Sequence, residues 1–129
     1  FLCPIILRNL ISIFKENNYD IVTNCLTRTF PSGLMTEVIS LKALRKIISS
    51  TDDPFDLEHI TNFFYKNKEK FHIYNYEHEG ENLQKYNLSI DTQDDLEKAN
   101  WIISQFTCKP QNIPTEKIFS LVKIWKKSL

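Results

Sequence analysis

Residues 86–96 have the sequence YNLSIDTQDDL, and the side-chain pattern within them changes from that of a strand to that of a helix. Apolar and polar residues alternate from Tyr86 to Ile90, which is typical of a strand with one buried face. Thr92 is a preferred residue for the position before a helix, and the acids after it suit the positive end of the helix dipole. The stretch therefore predicts a strand that ends at Asp91 and a helix that begins at about Thr92.

Asp91 would then stand where open α/β sheets commonly bind ligands, beyond the carboxyl end of a strand. An aspartate at this point can also simply hydrogen-bond its own backbone in a turn, and the local pattern leaves both interpretations open. Apolar residues at spacings of three and four predict the buried face of the following helix. They are Leu96, Ala99, Ile103 and Phe106.

The rest of the chain alternates between helices and short strands. Further strands are predicted at 20–23, 34–41 and 71–76. Helices are predicted at 4–16, after Ser40 with Leu41, Leu44 and Ile47 or Ile48 buried, after Asp53 with Leu57, Ile60 and Phe64 buried, and near the C-terminus with Ile118, Leu121, Val122 and Trp125 buried. This order of elements predicts an α/β fold.

Composition limits the kind of protein and its partners. The chain has 129 residues, which suits one domain, and 42% of them are hydrophobic. Its sixteen basic and sixteen acidic residues balance, so no nucleic-acid or membrane partner is expected. The three cysteines are far apart and lack zinc-ligand spacing, which predicts reduced thiols in the cytoplasm. A catalytic cysteine stays open, although no pattern favours one.

Two shortages suggest that the domain is incomplete. Four strands are few for the number of apolar helix faces, because a sheet of this class normally has about five or six strands. The chain has only two glycines and no glycine-rich phosphate loop. We therefore expect residues 1–107 to be half of a nucleotide-type domain, whose other half precedes Phe1. Residues 108–129 are expected to form a proline-containing spacer and a terminal helix.

Four stretches carry a more specific signal: CPII at 3–6, RTFPSGLMTEV at 28–38, DLEHIT at 56–61 and SIDTQDDL at 89–96. In this order they resemble motifs from the C-terminal half of the cytidylyltransferases that activate acidic sugars. The likeness is greatest to the spore-coat polysaccharide branch, which is related to CMP-KDO synthetase and the acylneuraminate cytidylyltransferases.

This resemblance implies a fold, a reaction and partners. The fold would be an incomplete nucleotide-diphospho-sugar-transferase-like (Rossmann-like) mixed sheet with flanking helices, usually in a homodimer. In the reaction, a hydroxyl of an acidic or modified sugar attacks the α-phosphate of CTP, and the product serves polysaccharide biosynthesis. Mg²⁺ is the implied cofactor, because carboxylate-held Mg²⁺ neutralises phosphate charge.

The resemblance also assigns roles to residues. Asp91 matches a catalytic and metal-binding aspartate, and the matching substrate-binding residues are Arg28, Glu37, Glu58 and His59. Three of the substrate-binding residues have a simpler interpretation: Glu37 as a solvent-facing strand residue, Arg28 as a solvated arginine, and Glu58 as an acid that favours a helix dipole.

Three departures from the family pattern bear on activity. Leu2 stands where the family has its second metal aspartate, Met35 replaces an aspartate and Leu57 replaces an arginine. Leucine cannot bind magnesium, and methionine is a poor ligand for a hard cation. The sequence therefore predicts a cytidylyltransferase-like protein that is inactive as this chain. The alternative is a non-catalytic dimerisation or interaction module derived from the same fold.

Overall fold

The structure is a computed structural model that describes residues 3–109 and 112–125. Helices and short strands alternate along most of the chain. The helices are α1 (Pro4–Glu16), α2 (Leu41–Ile48), α3 (Pro54–Glu58), α4 (Ile60–Lys66), α5 (Gln93–Ser104) and α6 (Thr115–Ile124), with a short 3₁₀ turn at Lys68–Lys70. The strands are β1 (Ile21–Thr23), β2 (Glu37–Ile39) and β3 (Ile73–Asn75).

Within the described residues, three strands form one mixed sheet in the order β2-β1-β3. The central strand β1 pairs antiparallel with β2, where Val22 lies opposite Val38, and parallel with β3, where Val22 lies opposite Tyr74. The predicted mixed α/β fold is confirmed, and each of these strands lies inside a predicted range but is shorter than that range.

The strand predicted at residues 86–90 is wrong. These residues make a single parallel bridge, in which Asn87 lies opposite Ser32. The Ser32 N–H donates to the Tyr86 carbonyl at 3.0 Å, and the Leu88 N–H donates to the Ser32 carbonyl at 2.8 Å. The pairing stops there because the next donors on each side bond locally: the Leu34 N–H donates to the Pro31 carbonyl at 3.3 Å, and the Tyr86 N–H donates to the Leu83 carbonyl at 3.0 Å. Asp91 therefore follows an extended segment and not a sheet strand.

Gly33 packs directly against that segment. Its φ is 88°, and a Cβ placed on it would lie 2.5 Å from both the carbonyl carbon of Leu88 and the nitrogen of Ser89. Both neighbouring atoms belong to the backbone, so neither can move aside as a flexible side chain would. Any side chain at position 33 would strain the backbone and would also overlap the backbone atoms of Leu88 and Ser89.

The buried face of α5 also differs from the prediction. Ala99 and Ile102 are buried, whereas Leu96 and Ile103 are 41% and 37% exposed. The buried face of α5 therefore differs from the predicted face, and it includes Asp95 at the helix N-terminus. Thr92 and Asp95 form a capping box, as Thr92 Oγ1 accepts from the Asp95 N–H at 3.2 Å and the Asp95 carboxylate accepts from the Thr92 N–H at 3.1 Å. The predicted cap at Thr92 is confirmed.

The predictions of buried residues for the helices in the middle of the chain are also partly wrong. Ser40 caps α2 as predicted, but Ala43 and Ile47 are its buried residues, while Leu41 and Ile48 are exposed. The helix predicted after Asp53 is broken at His59 into α3 and α4. Because α3 spans only five residues and none of them is buried, Leu57 is 40% exposed.

Two hydrophobic cores lie on opposite sides of β1. Val22 belongs to a core that includes Leu10, Phe30, Leu88 and Phe119. Ile21 belongs to a second core, with Ala43, Ile47, Phe63, Phe64 and Phe71. Helix α6 supplies Phe119 and packs within the first core. The predicted division of the chain at residue 107 stays a prediction.

We expect Gly33→Ala to lower the free energy of unfolding by about 3 kcal/mol or more, since it adds left-handed strain and overlap with backbone. Gly80→Ala is the matched control, because Gly80 also has positive φ but its nearest neighbour, a His78 ring atom, is 3.7 Å away. That control should cost about 1 kcal/mol. Urea unfolding measures the loss in free energy of unfolding for both variants. Equal losses would contradict the close approach at Gly33.

Asp95 should make stability depend on pH. Hydrogen bonds from Lys98 and Thr92 lower its pKa to about 2. Because the folded-state pKa is depressed, this stabilisation is fully present above about pH 4 and is lost as the pH falls towards about 2. Wild type should therefore be more stable than Asp95→Asn at neutral pH, and the gap should narrow in that window.

Urea unfolding across the same pH range measures this gap. Asp52→Asn is the control, because Asp52 is an exposed loop aspartate. Its difference from wild type is measured at the same pH values, as the reference for an aspartate that is not part of a capping box. A constant gap for Asp95→Asn would show that its carboxylate does not contribute through ionisation.

Candidate functional site

A cleft of about 430 Å³ opens beside the first residue of β2. The loop after β1 forms one wall, and the junction between α3 and α4 forms the other. Its lining combines charged, polar and apolar side chains: Cys25, Arg28, Met35, Glu37, Phe55, His59, Thr61, Asn62 and Tyr65.

The structure brings together three of the residues predicted from the sequence. Arg28, Glu37 and His59 all line this cleft, although they are far apart in the chain. Glu58 and Asp91 are not among its lining residues, so the predicted residues do not form a single site in this cleft. Met35, at one of the apolar departures, lines the same cleft.

Glu37 is held by hydroxyl groups on neighbouring elements. Its Oε1 accepts a short hydrogen bond from the Tyr65 hydroxyl of α4 and a longer one from Thr23 Oγ1 of β1, at 3.4 Å. Thr23 Oγ1 also lies 2.9 Å from the Tyr65 hydroxyl oxygen. No hydrogen bond to Glu37 Oε2 is found within residues 3–109 and 112–125. One oxygen of this carboxylate therefore stays available.

Burial raises the pKa of the Tyr65 phenol, and its hydrogen bond to Glu37 raises that pKa further. Tyr65 is therefore protonated at neutral pH and acts as a donor. Burial also raises the pKa of the Cys25 thiol, and the Cys25 S–H points to Asn24 Oδ1 at 3.5 Å. A thiol of this kind is a weak nucleophile, so the environment of Cys25 does not favour catalysis.

Arg28 carries the positive charge of the cleft. It is exposed, and its guanidinium makes no hydrogen bond or ion pair with any described residue. His59 lies at the break between α3 and α4, and its ring meets that of Phe55 edge-on at 4.6 Å. A guanidinium with five free donors beside a partly free carboxylate suits a ligand that has both an anionic group and hydroxyl groups.

The loop that carries these groups is fixed by Asn24, which is completely buried. Asn24 Nδ2 donates to the Leu34 carbonyl at 2.9 Å, and Asn24 Oδ1 accepts from the Thr36 N–H at 2.8 Å. No sequence pattern or motif singled out Asn24, Thr23 or Tyr65. Asn62 and Tyr65 are three residues apart, which places them on one face of α4. That spacing is the sequence signal that could have placed Tyr65 beside Asn62 in the cleft.

Asp91 lies outside the cleft and is exposed. The nearby Asp95 carboxylate is fully engaged: Oδ1 accepts from Lys98 Nζ at 2.9 Å and Asn87 Nδ2 at 3.2 Å, and Oδ2 accepts from the Thr92 hydroxyl at 2.8 Å. No group of three His, Cys, Asp or Glu side chains that could hold a metal ion occurs in the part of the chain that the structure describes.

Asp91 offers one carboxylate, and Mg²⁺ in proteins is usually held by one or two carboxylates together with water and substrate phosphates. Leu2, at the position of the second metal aspartate, lies outside the described residues. The assignment of Asp91 to metal binding stays a prediction. The same is true of the substrate-binding roles of Arg28, Glu37, Glu58 and His59.

No helix among the described residues is long and apolar enough to cross a membrane. No protein-family model and no curated protein sequence matches the chain. The chain is similar to a solved cytidylyltransferase from Leptospira borgpetersenii serovar Hardjo-bovis (strain JB197), with 32% identity and a TM-score of 0.84. The match covers 92% of this chain and 49% of the solved one, so this chain spans about half of that enzyme's length. The chain therefore has the fold of part of a cytidylyltransferase.

Proposed function

We propose that this chain is the sugar-binding part of a CTP-dependent cytidylyltransferase, and that the cleft beside β2 holds an acidic or modified sugar. The observation that carries the proposal is the pairing, in one cleft, of an Arg28 guanidinium that has no partner among the described residues with a Glu37 carboxylate that keeps one free oxygen. The fold shared with a solved cytidylyltransferase supports the choice of enzyme class.

The cleft offers a complementary group for each part of such a ligand. A guanidinium binds a carboxylate with two parallel hydrogen bonds, so Arg28 would bind the acid group of the sugar. Glu37 would accept a hydrogen bond from a sugar hydroxyl, and His59 and Asn62 add further polar contacts. Met35 and Phe55 would pack against the carbon atoms of the sugar ring.

In the complete reaction the sugar hydroxyl attacks the α-phosphate of CTP and pyrophosphate leaves. The residues of this cleft would hold the sugar, which lowers the entropic cost of bringing the two substrates together. Mg²⁺ would neutralise phosphate charge in such a reaction, and it would need ligands besides Asp91. We attribute binding of the sugar to this chain, and we assign it no complete catalytic site.

Calorimetric titration tests the sugar-binding role, with N-acetylneuraminate and 3-deoxy-D-manno-octulosonate as probes. We expect wild type to bind at least one probe and Arg28→Gln to bind it about tenfold or more weakly, because a charged hydrogen-bonding partner is lost. Arg45→Gln is the control, since Arg45 is exposed on α2 and outside the cleft. The proposal would be contradicted if wild type bound neither probe, or if Arg28→Gln and wild type bound the same probe equally well.

We also propose that this chain alone does not transfer CMP to a sugar. The support is chemical: apolar residues occupy positions 2, 35 and 57, where the family pattern has two aspartates and an arginine. Pyrophosphate release from CTP, in the presence of Mg²⁺ and the two sugar acids, is the assay. The expected result is no release above the protein-free rate. Turnover that Asp91→Ala abolishes would sink the idea.

We further propose that the chain forms a homodimer through the outer strands of its sheet. Both β2 and β3 have one edge that pairs with no other strand in the described structure, and Tyr74 of β3 is 37% exposed. Unpaired edges are ready sites for pairing with another chain. Light scattering should give twice the monomer mass, and Tyr74→Lys should lower it. A monomer over the whole accessible concentration range would count against the dimer.

A further inference from the structure

We infer that Tyr65 is a positioning residue that fixes Glu37, so that the second carboxylate oxygen of Glu37 selects a hydrogen-bond donor on the bound sugar. This inference rests on the proposed function, and it names a residue that neither the sequence pattern nor the family resemblance singled out. It is carried by a cluster of three side chains from three elements: Thr23 of β1, Glu37 of β2 and Tyr65 of α4.

The protons in this cluster have a defined direction. Thr23 Oγ1 accepts from the Cys25 N–H at 3.0 Å, so its own proton is available to donate towards Glu37 or Tyr65. The Tyr65 hydroxyl has one proton, which it donates to Glu37 Oε1. Both hydroxyl groups lie within reach of the same carboxylate oxygen, so Glu37 Oε1 is the end point of the network.

This arrangement constrains what Glu37 can do in the cleft. Because Oε1 is held by Tyr65 and Thr23, the carboxylate cannot rotate freely about its terminal bond. Oε2 is then the position left for a ligand, and an ionised carboxylate oxygen only accepts hydrogen bonds. The ligand must therefore present a hydroxyl or amine hydrogen there, whereas an ether oxygen or another carboxylate would be rejected.

Tyr65 is suited to this task because its environment keeps it protonated. Burial raises the pKa of its phenol, so it does not lose its proton near neutral pH. Its ring is partly buried and packs against the core that contains Phe64 and Phe71. A purely structural role would require only that packing, and Tyr65→Phe preserves it.

The experiment uses calorimetric titration of the full chain with N-acetylneuraminate or 3-deoxy-D-manno-octulosonate, whichever probe wild type binds. Three single variants and one double variant are compared: Tyr65→Phe, Glu37→Gln, Glu37→Asp, and Tyr65→Phe with Glu37→Gln. Tyr19→Phe is the matched control, because it removes a tyrosine hydroxyl that lies outside the cleft. The melting temperature of each variant is measured in parallel.

We expect Tyr65→Phe to weaken binding about tenfold, since one hydrogen bond that orients a charged group is lost. Glu37→Asp keeps the charge but withdraws the carboxylate from Tyr65, so it should weaken binding similarly. If Tyr65 acts through Glu37, the double variant should bind no more weakly than Glu37→Gln alone. Tyr19→Phe should bind like wild type.

The outcomes separate the two proposals. Absence of binding by wild type would overturn the proposed function together with this inference. Binding that depends on Arg28 but is unchanged in Tyr65→Phe would overturn the positioning role alone, even if the melting temperature fell. Additive losses in the double variant would also overturn it, because they would mean that Tyr65 acts independently of Glu37. If Tyr65→Phe does not fold, the titration of Glu37→Asp tests the positioning role instead, and binding equal to wild type would overturn that role.

Discussion

The close packing of Ser32 and Gly33 against the backbone of residues 86–89 is the constraint on which the rest of this structure depends. It combines two backbone hydrogen bonds with a glycine at which an added Cβ would lie only 2.5 Å from the Leu88 carbonyl carbon. The contact joins the loop that follows β1 to the segment that leads into α5. Arg28 and Met35 lie on that loop, so the same contact that closes the fold also fixes one wall of the cleft.

The opposite wall depends on the two cores beside β1. Phe63 and Phe64 of α4 lie in the core that receives Ile21, so the sheet and α4 are held together. This packing brings Tyr65, the next residue along α4, within hydrogen-bonding distance of Thr23. The break at His59 then directs its ring into the cleft beside Phe55. Side chains from three distant parts of the chain thus meet because the cores fix the backbones that carry them.

Much of this fold could be predicted from local sequence signals. Pro4 at a first helical position, Ser40 and Thr92 as caps, and alternation at 71–76 each depend on neighbours in the chain, and each gave the right kind of element. The strand at 86–90 was wrong because alternation does not reveal whether a partner is available. Here local turns use the N–H groups of Leu34 and Tyr86, so the pairing is limited to one residue, Ser32.

The residues of the candidate site also fall into those that the sequence predicted and those that it did not. Arg28, Glu37 and His59 were found through motif resemblance, and the structure places them in one cleft. Tyr65, Thr23 and Asn24 were missed because their importance comes from contacts across elements, which no local pattern encodes. The inward turn of Asp95 was missed for a related reason: its partners Asn87 and Lys98 lie on both sides of the capping box, and together they rotate α5 away from Leu96.

The central claim is that the cleft beside β2 recognises an acidic sugar, and NMR mapping of the isotope-labelled chain tests it most directly. Backbone amide shifts would be followed while N-acetylneuraminate or 3-deoxy-D-manno-octulosonate is added. We predict saturable changes concentrated at residues 25–37 and 59–65, which surround Arg28, Glu37 and Tyr65. Saturable changes confined to other parts of the chain, or no saturable change with either sugar acid, would contradict the account.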